Sequence, residues 1–92
     1  MFYYVYILQS EKDGSLYIGY TSNLKTRFRA HNSGEGPSTK PFRPYSLIYY
    51  EAFLNRIDAK NREAYLKSGY GRKTIKTLLN RYMKHSPEWV ST

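Results

Sequence analysis

Residues Phe2 to Ser10, FYYVYILQS, leave little freedom in the choice of fold. Tyr, Val and Ile favour extended backbone, and side chains along a strand alternate between two faces. Phe2, Tyr4, Tyr6 and Leu8 fall on one face, and Tyr3, Val5 and Ile7 on the other. Both faces are apolar, so this strand belongs in the middle of a sheet that is covered on both sides. Asp13-Gly14 signals a hairpin turn, and Ser15–Tyr20 is the returning strand. A two-residue turn there sets Ser10 opposite Tyr17, Leu8 opposite Gly19 and Tyr6 opposite Thr21. Tyr6, Tyr17 and Gly19 then share one face, where two phenols and a missing side chain form a polar floor open to close approach.

The rest of the chain alternates in character. Ser22 or Asn23 caps a helix in which Leu24, Arg27, Phe28 and His31 form one stripe, and Gly34 ends it. Ser33–Pro44 is a loop, and Tyr45–Phe53 is a third strand. A second helix spans Ile57–Ser68, with Asn55 or Asp58 near its start and Gly69 at its end. Gly71 opens a last helix striped by Ile75, Leu78, Leu79 and Tyr82. The order is β-β-α-β-α-α, an α/β chain of the α+β kind. Its 92 residues make one domain. That domain runs over residues 1–85, and 86–92 form a frayed tail in which Trp89 has the means to dock.

Composition removes several kinds of chemistry. The chain has no cysteine, which excludes disulfides, zinc–thiolate sites and a cysteine nucleophile. Two histidines, His31 and His85, are too few for a multi-histidine metal site. No signal peptide and no membrane-spanning stretch is visible, so a cytoplasmic setting is expected. Fifteen Lys and Arg against seven Asp and Glu leave a net charge of +8, which calls for a polyanionic partner. Lys67, Arg72, Lys73, Lys76, Arg81 and Lys84 form a run of cations with no acid among them.

Val5-Tyr6-Ile7 on one strand, Tyr17-Ile18-Gly19 on the next, and then Arg27, His31 and Glu63 resemble the GIY-YIG nuclease family in order and spacing. The resemblance extends over about residues 2 to 84. It looks closest to the small stand-alone bacterial branch, through Ser38-Thr39-Lys40 and Leu66-Lys67-Ser68-Gly69, and is similar to the nuclease domain of the excinuclease C subunit. The first motif departs from the family's Gly-Ile-Tyr, and the second matches fully. Two further departures are Tyr20, where some relatives carry lysine, and the lack of an asparagine after Glu63, where Lys67, Ser68 or Tyr70 stand instead.

The resemblance implies a three-stranded antiparallel sheet flanked by three helices, and metal-dependent cleavage of DNA. Tyr6, Tyr17, Arg27 and His31 would be catalytic, with one of the two tyrosines as base or proton relay. Arg27 would hold a phosphate through its forked guanidinium. Glu63 would hold Mg²⁺ or Mn²⁺, since a hard cation is commonly bound by one carboxylate plus phosphate oxygens and water. Arg27, Lys40, Arg43, Lys67, Arg72, Lys73 and Lys76 are the expected nucleic-acid contacts. Target selection would come from nucleic-acid shape or from a partner protein.

Plainer roles exist for the same residues. Tyrosine packs well in strands, Arg27 can be a solvated helix residue, and His31 can be a charged histidine favoured by the helix dipole. Glu63 can simply pair with Lys60, Arg62 or Lys67. The alternatives to an enzyme are a non-catalytic nucleic-acid-binding module with the same fold, and a protein-interaction subunit.

Overall fold

A computed structural model describes residues 1–84. The expected tail at 86–92, with Trp89, lies outside the described residues, as does His85. Three strands, β1 (Tyr3–Ser10), β2 (Leu16–Thr21) and β3 (Tyr45–Phe53), form one antiparallel sheet in the order β2-β1-β3. The helices are α1 (Leu24–Ser33), α2 (Arg56–Lys67), α3 (Gly69–Leu78) and α4 (Asn80–Lys84), with a short 3₁₀ turn at Lys40–Phe42 in the loop before β3. β1 is central, and its residues from Val5 to Ser10 are all buried.

The two faces of β1 build two apolar layers. Val5 and Ile7 pack with Ala59 and Leu66 of α2, Ile75 of α3 and Leu79. Tyr6 and Leu8 pack with Tyr45, and against them lie Tyr17, Leu47, and Leu24 and Phe28 of α1. Arg62 ties α2 to β3 through a forked pair with Glu51, at 2.8 and 3.0 Å, and the Tyr49 hydroxyl donates to the same carboxylate at 2.5 Å. No helix among the described residues is long and apolar enough to cross a membrane.

The hairpin register differs from the sequence expectation by two residues. Tyr6 lies opposite Gly19, Leu8 opposite Tyr17, and Tyr4 opposite Thr21. A two-residue type I′ turn needs positive φ at both central residues. Gly14 has φ 78°, but no non-glycine residue among those described has positive φ, so Asp13 cannot play that part. A four-residue loop forms instead, closed by Ser10 N–H to Ser15 C=O at 2.8 Å. The Ser10 hydroxyl receives the N–H groups of Lys12 and Asp13, and the Asp13 carboxylate receives the Ser15 N–H. The shift is even, so Tyr6, Tyr17 and Gly19 still share a face.

Helix ends were legible except at the α2–α3 corner. Asn23 caps α1, and Gly34 ends it in the left-handed conformation. Asn55 caps α2, its side chain receiving the N–H groups of Ile57 and Asp58. Gly69 does not end α2, and Gly71 does not open the last helix. Ser68 serves both elements, ending α2 and capping α3 through its hydroxyl on the Gly71 N–H at 3.3 Å. The last striped segment is two helices in sequence, α3 and α4, with a turn at Leu79 (φ −111°, ψ 26°). Leu79 N–H to Ile75 C=O and Met83 N–H to Leu79 C=O, both 2.9 Å, carry the hydrogen bonding across that turn.

Candidate active site

The centre of the site is the Tyr6 side chain, which is completely buried. Its ring crosses Gly19 on the neighbouring strand. A Cβ at residue 19 would stand 2.3 Å from the Tyr6 hydroxyl and 2.4 Å from its ring, so only glycine leaves room. The open floor expected at Gly19 is therefore filled by Tyr6 itself. The Tyr6 hydroxyl is directed at His31 Nε2, 2.9 Å away. His31 sits in the last turn of α1, and its other nitrogen, Nδ1, is 2.8 Å from the Thr39 hydroxyl. The Tyr17 ring lies against the imidazole, centroids 4.8 Å apart, and Tyr45 stands at 6.4 Å.

Electrostatics join two more residues to this cluster. Burial pushes the Tyr6 phenol well above its ordinary pKa, and Tyr17 adds to the rise. Arg27 opposes it, and Glu63 reinforces it. Arg27 and Glu63 thus both act on the Tyr6 hydroxyl, although one belongs to α1 and the other to α2. Burial, and then Arg27, lower the pKa of His31 below 6.5. His31 is therefore a neutral imidazole at pH 7, which sets aside its reading as a protonated dipole partner. Arg27 is exposed and makes no ion pair with any described residue, which leaves its guanidinium available to an anion.

Glu63 is held by Lys67, one turn along α2, at 3.1 Å. The other two cations considered as its partners are engaged elsewhere, Arg62 by Glu51 and Lys60 over the Tyr20 ring at 4.7 Å. No group of three or more His, Cys, Asp or Glu side chains gathers among the described residues. A lone carboxylate does not suit zinc, but it suits a hard cation such as Mg²⁺ or Mn²⁺ whose other ligands are oxygens from outside the protein.

The chain that carries these residues is similar to known proteins along most of its length. The GIY-YIG catalytic domain profile fits residues 2–78. The chain belongs to the GIY-YIG family. A UPF0213 protein of Clostridium perfringens is 49% identical over 65 residues, covering 70% of this chain and 69% of that protein. One from Staphylococcus haemolyticus is 40% identical over 80 residues, covering 86% and 96%. The solution NMR structure of a UPF0213 protein from Bacillus halodurans shares the fold, with a TM-score of 0.53 and 33% identity over 100% of this chain and 95% of that one.

In this GIY-YIG chain the expected nucleic-acid contacts do not form one patch. Arg27 lies on α1, and Lys40 and Arg43 follow in the loop after it. Arg72, Lys73 and Lys76 lie on α3, which packs on the opposite face of the sheet from α1. Lys67 is on the α3 side, lining the same cavity as Arg72 and Lys76, and is tied to Glu63. Sequence reasoning missed Thr39 as a member of the site. Ser38-Thr39-Lys40 was visible only as a familiar triplet, and no periodicity links residue 39 to residue 31 across a loop.

Proposed function

We propose that the chain is a metal-dependent endonuclease that hydrolyses phosphodiester bonds, with DNA as the expected substrate. The observation that carries this reading is the buried Tyr6–His31 contact, with Arg27 and Glu63 both acting on the same phenol. A buried phenol needs an acceptor for stability in any case. What favours chemistry here is that the acceptor is a histidine and that Arg27 and Glu63, from two different helices, both act on the same hydroxyl.

The roles follow from the chemistry. Arg27 binds the scissile phosphate through two parallel hydrogen bonds and offsets the charge that develops on it. The Tyr6 hydroxyl is buried in the free protein and would have to be uncovered to the attacking water when substrate binds. It would then take that water's proton as its own passes to His31 Nε2, so the high pKa of the phenol is no obstacle to a relay. Tyr17, half-buried beside the His31 ring, donates to a phosphate oxygen. Glu63 would hold Mg²⁺ or Mn²⁺, and the cation would neutralise charge on the phosphate oxygens.

The Lys67–Glu63 pair favours a second reading, a nucleic-acid-binding module without catalysis, because it occupies the one candidate metal carboxylate. Lys67 is exposed, and i,i+4 pairs on a helix contribute only about 0.3–0.5 kcal/mol, so displacing it costs little. The two readings separate in one experiment. Labelled linear, branched and single-stranded substrates are incubated with the protein and its Glu63→Gln variant, with EDTA, Mg²⁺ or Mn²⁺. The nuclease reading expects metal-dependent cleavage by the wild type, and a folded variant that binds in EDTA but makes no product. A variant that cleaves with unchanged metal dependence removes Glu63 from the site, and a wild type that cleaves nothing favours the binding module.

A further inference from the structure

Thr39 is completely buried, yet it lies in the loop between α1 and β3, where a polar side chain has no structural need to be hidden. Its hydroxyl meets His31 Nδ1 at 2.8 Å and reaches the Gly36 carbonyl at 3.3 Å. The space for this contact exists only because residue 36 has no side chain. A Cβ there would stand 2.7 Å from the Thr39 hydroxyl and 3.4 Å from His31 Nδ1. The loop is clamped on either side, by the Ser10 hydroxyl donating to the Phe42 carbonyl at 2.5 Å and by Asn32 bonded to both Tyr45 backbone groups at 2.6 and 3.1 Å.

Hydrogen counting then fixes the direction of the chain of bonds. His31 Nε2 is the one hydrogen-bond partner of the Tyr6 hydroxyl among the described residues. A buried O–H without an acceptor costs about 1–3 kcal/mol, so the phenol donates to Nε2 and Nε2 carries no hydrogen. A neutral imidazole has one N–H, which must then be on Nδ1 and donates to the Thr39 oxygen. The Thr39 hydroxyl in turn donates to the Gly36 carbonyl, and every group in the chain is satisfied.

We propose that Thr39 is a positioning residue that fixes the tautomer of His31, keeping the Nε2 lone pair aimed at Tyr6. This inference rests on the nuclease reading only for its catalytic consequence; the tautomer itself is a property of the free protein. Without an acceptor at residue 39 the imidazole moves its hydrogen to Nε2. It then faces the Tyr6 oxygen as a donor and can no longer take the phenol's proton.

The test is nitrogen-15 NMR of the two His31 ring nitrogens in the free wild type, Thr39→Val and Thr39→Ser. The wild type should show a protonated Nδ1 and a bare Nε2. Valine keeps the shape and removes the acceptor, so Thr39→Val should shift the population towards the Nε2–H form. It should lower cleavage by about 10–100-fold with DNA binding unchanged. Thr39→Ser should restore both the spectrum and the rate, which a purely structural role for the threonine methyl would not produce. A wild type with its hydrogen on Nε2, or a folded Thr39→Val with the wild-type tautomer, overturns the proposal. If Thr39→Val does not fold, the wild-type and Thr39→Ser spectra decide. A wild type that cleaves nothing ends the nuclease reading, while the spectra still decide whether Thr39 sets the tautomer.

Discussion

At the scale of single residues, the site is a case of one side chain occupying the space that another position gives up. Tyr6 lies where a side chain at residue 19 would be, and this holds its hydroxyl on His31. Tyr6→Phe and Tyr17→Phe each remove only a hydroxyl. Both variants should fold, because the rings remain. Tyr6→Phe should lower the cleavage rate by about 10²–10⁴, the usual range for a lost proton-transfer group. Tyr17→Phe should lose less, since on the proposed reading its hydroxyl makes one hydrogen bond to phosphate and transfers no proton. Single-turnover rates at saturating DNA check this, and wild-type rates in both variants would remove tyrosine chemistry from the account. The tyrosine pair was legible because parity along two strands is insensitive to a shift of two residues. Thr39 was not, because its contact with His31 depends on loop geometry that no spacing rule encodes.

At the scale of elements, strand parity fails once. Between Ile7 and Leu8, β3 carries an extra residue: Ile7 pairs with Tyr49, but Leu8 pairs with Leu47. Beyond this bulge the odd-numbered Tyr45 and Leu47 join the same layer as Tyr6 and Leu8, and Tyr45 comes to face His31. Tyr45–Phe53 was recognised as a strand, but nothing in its sequence marks the extra residue, so Tyr45 could not be placed at the site. The α2–α3 corner was misread for a related reason. Gly69 and Gly71 look like punctuation, whereas Ser68 performs the capping. Two predictions belong here. Charge reversal of Lys73 and Lys76 on α3 to Glu tests whether the layer opposite α1 touches nucleic acid. If both contact phosphate, binding should weaken alike for unrelated sequences, and the log–log salt slope should fall by about 1.8. An unchanged slope confines binding to the α1 side. Glu51→Gln removes the carboxylate that Arg62 and Tyr49 share. It should destabilise the fold by about 1–3 kcal/mol, read as a lower urea midpoint with an unchanged m value.

At the scale of the whole molecule, acid should be the condition the fold tolerates least. His31 has its pKa depressed, so the unfolded chain binds a proton that the folded chain refuses as pH drops below 6.5. Its contribution to stability is complete above that value and declines below it. Glu51 is held below its ordinary 4.5, first by its hydrogen bonds with Arg62. Its contribution is complete above 4.5 and is lost as pH falls through the folded value. Asp13 is likewise held below its ordinary value by its hydrogen bonds with Ser15. All three act in one direction, so Tm should fall in two stages between pH 7 and 3, and Glu51→Gln should reduce the lower stage and leave the upper one unchanged. The central position of β1 has a further consequence, for synthesis. The first strand to leave the ribosome is the one that both other strands need, and one of its edges waits for Phe53. At about 5–20 residues per second, a ribosome spends roughly 2–9 s between Ser10 and Phe53. For that interval the nascent chain offers a strand that is apolar on both faces and open along one edge. Translational pausing before β3 is therefore the moment of greatest risk of aggregation, and a tag that slows the chain there should reduce soluble yield more than the same delay after α3.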